Sequence, residues 1–253
     1  MSRYFLYLSY LGTAYHGWQV QANAPSVQGV VNGALSKLLR TPTAVLGAGR
    51  TDTGVHARQL VAHFDAERAD LHRDQQFLHS LNHMLPLDIA VERIVPVAGT
   101  ANARFDALWR EYDYVVSRRK NPFAQPLSWH YTAPLDVPAM QRAADQLLRH
   151  NDFTSFSRLG SDTRTNLCTV MRAQWHQTNP NQLVFTIRAN RFLRNMVRAI
   201  VGTLMEVGRG KLDTESFEAI ITAHSRAVAG ASAPAQGLYL SHVEYPSSIF
   251  LQP

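Results

Sequence analysis

The sequence predicts an α+β fold assembled from two strand-and-helix halves. Three observations predict it. Short runs alternate apolar and polar residues, longer stretches repeat apolar residues at i, i+3 and i+4, and the two patterns take turns along the chain. At 253 residues and 45% hydrophobic, the chain is long enough for one large domain or two packed halves around a sizeable core.

Residues 3–10, rich in Tyr, Phe and Leu, read as a strand that runs into a loop holding Gly12, Gly17 and Trp18. Ser26 caps a helix whose Val27, Val30, Val31, Ala34, Leu35, Leu38 and Leu39 form one apolar stripe. Strand signals at 43–47 and 60–65 flank the segment GAGRTDTGVHARQ, which is loop-like in its glycines and charges. A helix over 74–85 carries Phe77, Leu78, Leu81 and Leu85, and IAVERIVPV at 89–97 reads as a strand. These elements make a first half, residues 1–103, and leave a second, 104–253.

The second half opens with a strand at 111–118. A helix over 137–149, begun by Asp136, places Val137, Met140, Ala144, Leu147 and Leu148 on one face. Strands at 170–176 and 182–189 form a hairpin through Asn179, Pro180 and Asn181, with Leu183, Phe185, Ile187 and Ala189 on one side of the second strand. A long helix is expected over 191–207, burying Phe192, Met196, Val197, Ile200, Val201 and Leu204. On its other face Arg191, Arg194 and Arg198 would make a basic stripe. A helix after Asp213 and a strand near 238–245 complete the pattern.

Lys and Arg total 25 against 19 for Asp and Glu, a net charge of +6. The excess favours a polyanionic partner, although it also serves solubility, so the clustering of the arginines has to decide. Arg188, Arg191, Arg194 and Arg198, with Arg118, Arg119 and Lys120, are candidates to line a channel for a nucleic-acid backbone; a solvated basic face is the alternative. The one cysteine, Cys168, excludes an internal disulfide framework and a Cys-cluster zinc site, and suits a reducing compartment. No run approaches the roughly 20 apolar residues of a membrane span, and the MSRYFLYLSY start lacks a cleavage signature, so a soluble, unprocessed cytoplasmic protein is expected. His56 and His63 are spaced like metal ligands, yet no HExxH or Cys partner accompanies them; satisfied histidines and no metal are expected.

Gly47-Ala48-Gly49 after a strand suggests a dinucleotide-binding turn, but the third glycine of that fingerprint is replaced by Asp52, and a carboxylate repels phosphate where the backbone must approach it most closely. An acid between Arg50 and a glycine turn suits a nucleophile or base, because a guanidinium neighbour favours an ionised carboxylate. On composition alone, an ordinary surface turn containing Arg and Asp stays open.

Gly49-Arg50-Thr51-Asp52-Thr53-Gly54-Val55-His56-Ala57 closely resembles the signature of the TruA family of tRNA pseudouridine synthases. The resemblance extends through Tyr10, Gly12, Thr13, Gly17, Trp18 and Gln19, then Val27-Gln28-Gly29, Leu81-Asn82 and Leu85-Pro86. It continues through Arg110, Tyr112 and Tyr114, the Asn190-to-Arg198 segment, and Gly237-Leu238-Tyr239-Leu240. Leu11 departs from it, standing where the family commonly has Asp.

The resemblance implies a pseudouridine synthase fold: α+β, two related halves with mainly antiparallel sheets and flanking helices, and a central basic cleft. It implies a homodimer that isomerises uridines 38, 39 and 40 in the tRNA anticodon stem-loop without metal or organic cofactor. Asp52 is then the catalytic carboxylate and Arg50 helps to displace the base. Tyr112 stacks on the flipped uracil and serves proton transfer at C5, Arg198 pairs with the aspartate, and Leu238 lies beside the base. His56, Arg188, Arg191 and Arg194 are carried with these as substrate-binding candidates. Extruding a base costs a few kcal/mol and calls for an apolar or aromatic receiving surface, which these residue types provide. Taken singly, Tyr112 is also a packing aromatic, Arg198 a solvated arginine and Leu238 a core residue. A non-catalytic RNA-binding protein and a nicotinamide-dependent oxidoreductase are the rival readings.

Overall fold

The computed structural model describes residues 1–158, 160 and 165–251. It is a mixed α and β structure with mostly antiparallel strand pairing and, among the described residues, five α-helices. The chain divides into two compact units, Met1–Leu108 together with the stretch from Leu240, and Trp109–Tyr239.

In the first unit, β1 (Ser2–Tyr10) lies between β3 (His56–Ala66) and β4 (Ile89–Val97), antiparallel to both, and β2 (Leu46–Gly47) pairs with β3. Burial of Tyr4 through Leu8 without interruption shows that both faces of β1 are covered. On one face Tyr4 meets Phe64, its direct partner in register, and His72. On the other Phe5 meets Tyr245 edge-on at 4.8 Å and Phe250 at 6.2 Å. Helices α1 (Val27–Leu39) and α2 (Gln75–Met84) pack on each other, and α2 packs on β4. Their caps are local: the Ser26 hydroxyl accepts from Gly29 N–H and the Asp74 carboxylate from Phe77 N–H. Asn82 fastens α2 to β4, donating to Val91 O at 2.8 Å and accepting from Val91 N–H at 2.7 Å. Strand β3 starts at His56, earlier than the sequence pattern suggests, because Ala57 still pairs with Tyr10 across a register shift.

In the second unit the order is β5 (Trp109–Ser117), β8 (Gln182–Ala189), β7 (Val170–Asn179), all antiparallel, with β6 (Trp129–His130) parallel to β5. Helix α3 (Val137–Gln146), capped by Asp136 at Ala139 N–H, packs against β7, α4 (Met196–Gly208) and α5 (Thr214–Thr222). The Gln141 side chain bonds β7 from α3, accepting from Trp175 N–H at 2.7 Å and donating to Ala173 O at 3.1 Å. The seventh residue of β8, Arg188, is half-buried, whereas Leu183 through Ile187 are all buried. Both faces of β8 are therefore covered, where alternation predicted one. The last strand, β9 (Leu238–Glu244), begins in the second unit and ends in the first.

The expected helix over 191–207 is corrected to Met196–Gly208. Asn195 has φ 65°, a left-handed conformation that a right-handed helix cannot contain, and its amide donates to Ser232 Oγ at 2.7 Å. Arg191 and Arg194 thus lie in the loop before α4, and i, i+3, i+7 spacing with Arg198 gives no shared helical face. Nor is α4 half-solvated: nearly all of it is buried, including Gly202 and Thr203, so it runs through the unit's interior.

Candidate active site

The loop that carries Asp52 is clasped by the loop that follows β1. Trp18 N–H donates to Thr51 O at 3.3 Å, Gly54 N–H donates to Tyr15 O at 3.3 Å, and the hydroxyls of Tyr10 and Thr51 bond at 2.9 Å. Within the Asp52 loop, Val55 N–H closes back on Asp52 O at 3.1 Å. The two loops approach so closely that only glycine fits at the contact. A Cβ on Gly12 would overlap the Val55 carbonyl oxygen, and one on Gly17 would overlap the Thr51 carbonyl oxygen. Gly17 also has φ +91°, which disfavours any side chain. Gly47 lies against the Trp18 ring, where a Cβ would come within 2.7 Å of the indole. Trp18 is in turn stacked on Tyr10.

Within this frame Asp52 is half-buried and Arg50 exposed. His56 has no exposed surface; its Nδ1 accepts the Gly12 N–H at 2.9 Å, so the neutral ring carries its proton on Nε2. His56 thus lies buried against the loop that carries Gly12. His63 also accepts through Nδ1, from Ala103 N–H at 3.1 Å, and burial, with Arg3 nearby, holds its imidazole below the ordinary value. At Leu11 the side chain is exposed while the backbone N–H donates to Asp88 O, and the Asp88 carboxylate accepts the Tyr15 hydroxyl at 2.6 Å. Asp88 thus ties down the loop that carries Leu11. Among the described residues no group of three or more His, Cys, Asp or Glu side chains is placed to hold a metal ion.

In the second unit Tyr112 is buried on β5, opposite Ile187 in register, and the Phe192 ring meets it edge-on at 5.0 Å. Phe192 makes that contact from the loop before α4, not from the helix. Arg198 sits in the first turn of α4, where its Nε donates to Ala233 O at 2.7 Å and its carbonyl accepts Ala233 N–H at 2.9 Å. The same 230–237 segment is seated by two close approaches. A Cβ on Gly202 would overlap Ala231 O, and one on Gly237 would come within 2.7 Å of the Tyr114 ring. The Tyr114 hydroxyl donates to Pro234 O at 2.8 Å, and burial pushes its ionisation well above the ordinary phenol value against the opposing pull of Arg198. Leu238, buried, follows this segment at the start of β9.

The arginines expected to line a nucleic-acid channel differ in their engagement. Arg188 donates through Nε to Glu111 Oε2 at 2.9 Å, stacks over the Trp109 ring at 3.9 Å, and shares Glu111 with Arg172 at 3.7 Å. One carboxylate between two guanidiniums leaves this group net positive, but Arg188 itself is held to its strand. Arg194 is exposed and Arg191 half-buried. Glu111 escapes sequence reasoning: only the β5–β8 register, which sets Glu111 opposite Arg188, reveals the pair. Among the described residues no helix is long and apolar enough to cross a membrane.

A family model described as tRNA pseudouridine synthase matches residues 143–246. Over 250 residues the chain is 50% identical to tRNA pseudouridine synthase A of Bacteroides fragilis, covering 99% of both chains. It is 49% identical to the protein of that name from Porphyromonas gingivalis, covering 99% of this chain and 100% of the relative. The protein of the same name from Geobacter sulfurreducens is 41% identical, covering 95% of this chain and 98% of the relative. Such likeness over the full length defines a pseudouridine synthase. The chain belongs to the tRNA pseudouridine synthase A family.

Proposed function

We propose that the protein isomerises uridine to pseudouridine in the anticodon stem-loop of tRNA, at positions 38, 39 and 40, with Asp52 as the catalytic carboxylate. The reading is supported by near-complete coverage of a relative half identical to this chain, and by the Asp52 loop, held by bonds and glycine contacts that leave it little freedom. Preorganisation of that kind is what a group needs if it is to meet a reacting atom in one geometry.

The reaction rearranges atoms without net oxidation. The bond from the sugar to N1 breaks, the uracil turns, a bond from the sugar to C5 forms, and the proton lost from C5 is balanced by one gained at N1. No redox cofactor is required. Asp52 acts by adding to the nucleotide or by taking a sugar proton. Arg50, exposed on the same loop, helps to displace the base from its stack. Tyr112 receives the flipped uracil and serves the C5 proton, with Leu238 as the apolar neighbour, and Arg198 supplies positive charge near the reaction. Arg191 and Arg194 contact the RNA backbone, while Arg188 and His56 act by holding strand and loop. The reading includes two related halves with a central basic cleft, a homodimer and a cytoplasmic setting.

Tritium release from C5-labelled uridine in unmodified tRNA, with mapping of the modified positions, tests reaction and site together. The wild-type protein releases tritium at the three positions. Asp52→Asn keeps tRNA affinity within a few-fold and releases none; retained activity in that variant refutes the role given to Asp52.

A further inference from the structure

A cavity of about 350 Å³ opens in the second unit between the end of β5, the β7–β8 turn and the loop after Ser117. Its volume is at the small end of sites that hold a small molecule, so it admits one nucleotide and not a helix. Arg119 and Lys120 are exposed, Phe123 is 89% exposed, Asn121, Asn179, Asn181 and Gln182 supply amides, and no carboxylate is among the lining residues. The sequence carries no Asp or Glu from residue 114 to 135, or from 163 to 205, so neither contributing stretch brings an acid to neutralise the two cations.

The loop is built, not slack. Ser117 Oγ donates to Arg119 O at 2.8 Å, Arg118 N–H to Asn181 O at 2.8 Å, and Phe123 N–H to Asn121 Oδ1 at 3.0 Å. At its far end the Tyr239 hydroxyl donates to Leu127 O at 2.6 Å. Arg118 turns aside and donates to Ala133 O, leaving Arg119 and Lys120 at the cavity. A fixed turn therefore presents an exposed aromatic ring beside two cations for which no ion pair is found among the described residues.

We infer that this cavity binds one unpaired nucleotide of the tRNA substrate, its base stacked on Phe123 and its phosphate between Arg119 and Lys120. The inference rests on the tRNA reading above and adds a contact outside the reaction centre. Every base offers a stacking face and every nucleotide a phosphate, so the site grips single-stranded RNA with little regard to sequence, and the amides meet base edges or the 2′-hydroxyl. A second copy of the chain fits less well. A two-fold contact sets a patch against itself, and this one has no acid to face its cations.

The test is tRNA binding by Phe123→Ala, Phe123→Leu, Phe123→Trp and the double variant Arg119→Ala/Lys120→Ala, using a full-length unmodified tRNA transcript over a range of salt. Phe123→Ala and Phe123→Leu weaken binding about tenfold, as loss of one stacked base does, while Phe123→Trp restores it. In turnover the same loss falls on KM and not on kcat. The double variant lowers the slope of log Kd against log salt by roughly 0.7–0.9 units, as release of the one phosphate contact requires. Wild-type affinity and salt slope in all four variants overturn the inference. So does a Phe123→Ala protein whose only change is its molecular mass in solution, which would make the face a contact between copies. A wild-type protein that neither binds the transcript nor releases tritium overturns the tRNA reading itself, and the nucleotide site with it.

Discussion

Replacing Gly17 by alanine tests whether the loop clasp, and not Asp52 alone, sustains activity. Gly17 has φ +91°, and an L side chain in a left-handed conformation costs about 1–2 kcal/mol. The added Cβ would overlap the Thr51 carbonyl oxygen and lie 3.2 Å from the Asp52 carbonyl carbon, inside the 3.4–4 Å of ordinary contact. Neither neighbour is a flexible side-chain end, so the backbone must retreat by about an ångström, and overpacking of this sort costs about 1–3 kcal/mol. The two terms give roughly 2–5 kcal/mol, which for a chain of this length lowers the melting temperature by roughly 5–15 °C. Because the displaced carbonyl belongs to the residue before Asp52, kcat/KM should fall by about a hundredfold, as expected of a 1 Å misplacement. Calorimetry and tritium release measure the two effects. Gly33→Ala is the control: Gly33 lies in α1 with nothing within 4 Å of its added Cβ, and the change should stabilise by about 1 kcal/mol through helix propensity. A Gly17→Ala protein that melts with the wild type and retains its turnover refutes the clasp.

The corresponding contact in the second unit predicts that Gly202→Ala, whose Cβ would overlap Ala231 O, displaces the segment that holds Arg198 through Ala233. Its kcat/KM should drop at least tenfold with a lowered melting temperature, whereas unchanged kinetics would show that the segment has no part in placing Arg198. His63 predicts a pH effect. Burial and Arg3 lower its folded value against the smaller opposing pull of Asp65 and Asp106, so the unfolded chain takes up the proton first as pH falls. Stability from this group is complete above the unfolded value of 6.5 and declines as pH drops below it, and a pH series of melting temperatures should show a shallower decline in His63→Gln.

Much of the secondary structure was legible because its determinants are local. Ser26, Asp136 and Asp213 each cap the helix predicted after them, since a short polar side chain needs only the N–H three residues on. The strand at 89–97 and the β8 range 182–189 coincide with the observed spans, because their β-branched and apolar residues, and the turn residues that bound them, lie within one segment. The helix start near 191 failed for the complementary reason. Phe192 and Leu193 fit a helical period, and nothing local reveals that Asn195 takes a left-handed conformation in which it bonds to Ser232, 37 residues away.

The site divides along the same line. The sequence by itself named the family and supplied the proposed chemical cast: the acid at Asp52, the tyrosine at Tyr112, the arginine at Arg198 and the glycines around them. Only the tertiary structure decided what each of those residues is free to do. It placed His56 behind the loop as a support, bound Arg188 to Glu111 across two strands, and explained Gly12 and Gly17 as points where two distant loops touch. The reason is physical. Residue identity fixes charge, size and hydrogen-bonding capacity, but exposure and partnership are settled by segments far apart in sequence, and no local pattern encodes which of them will meet.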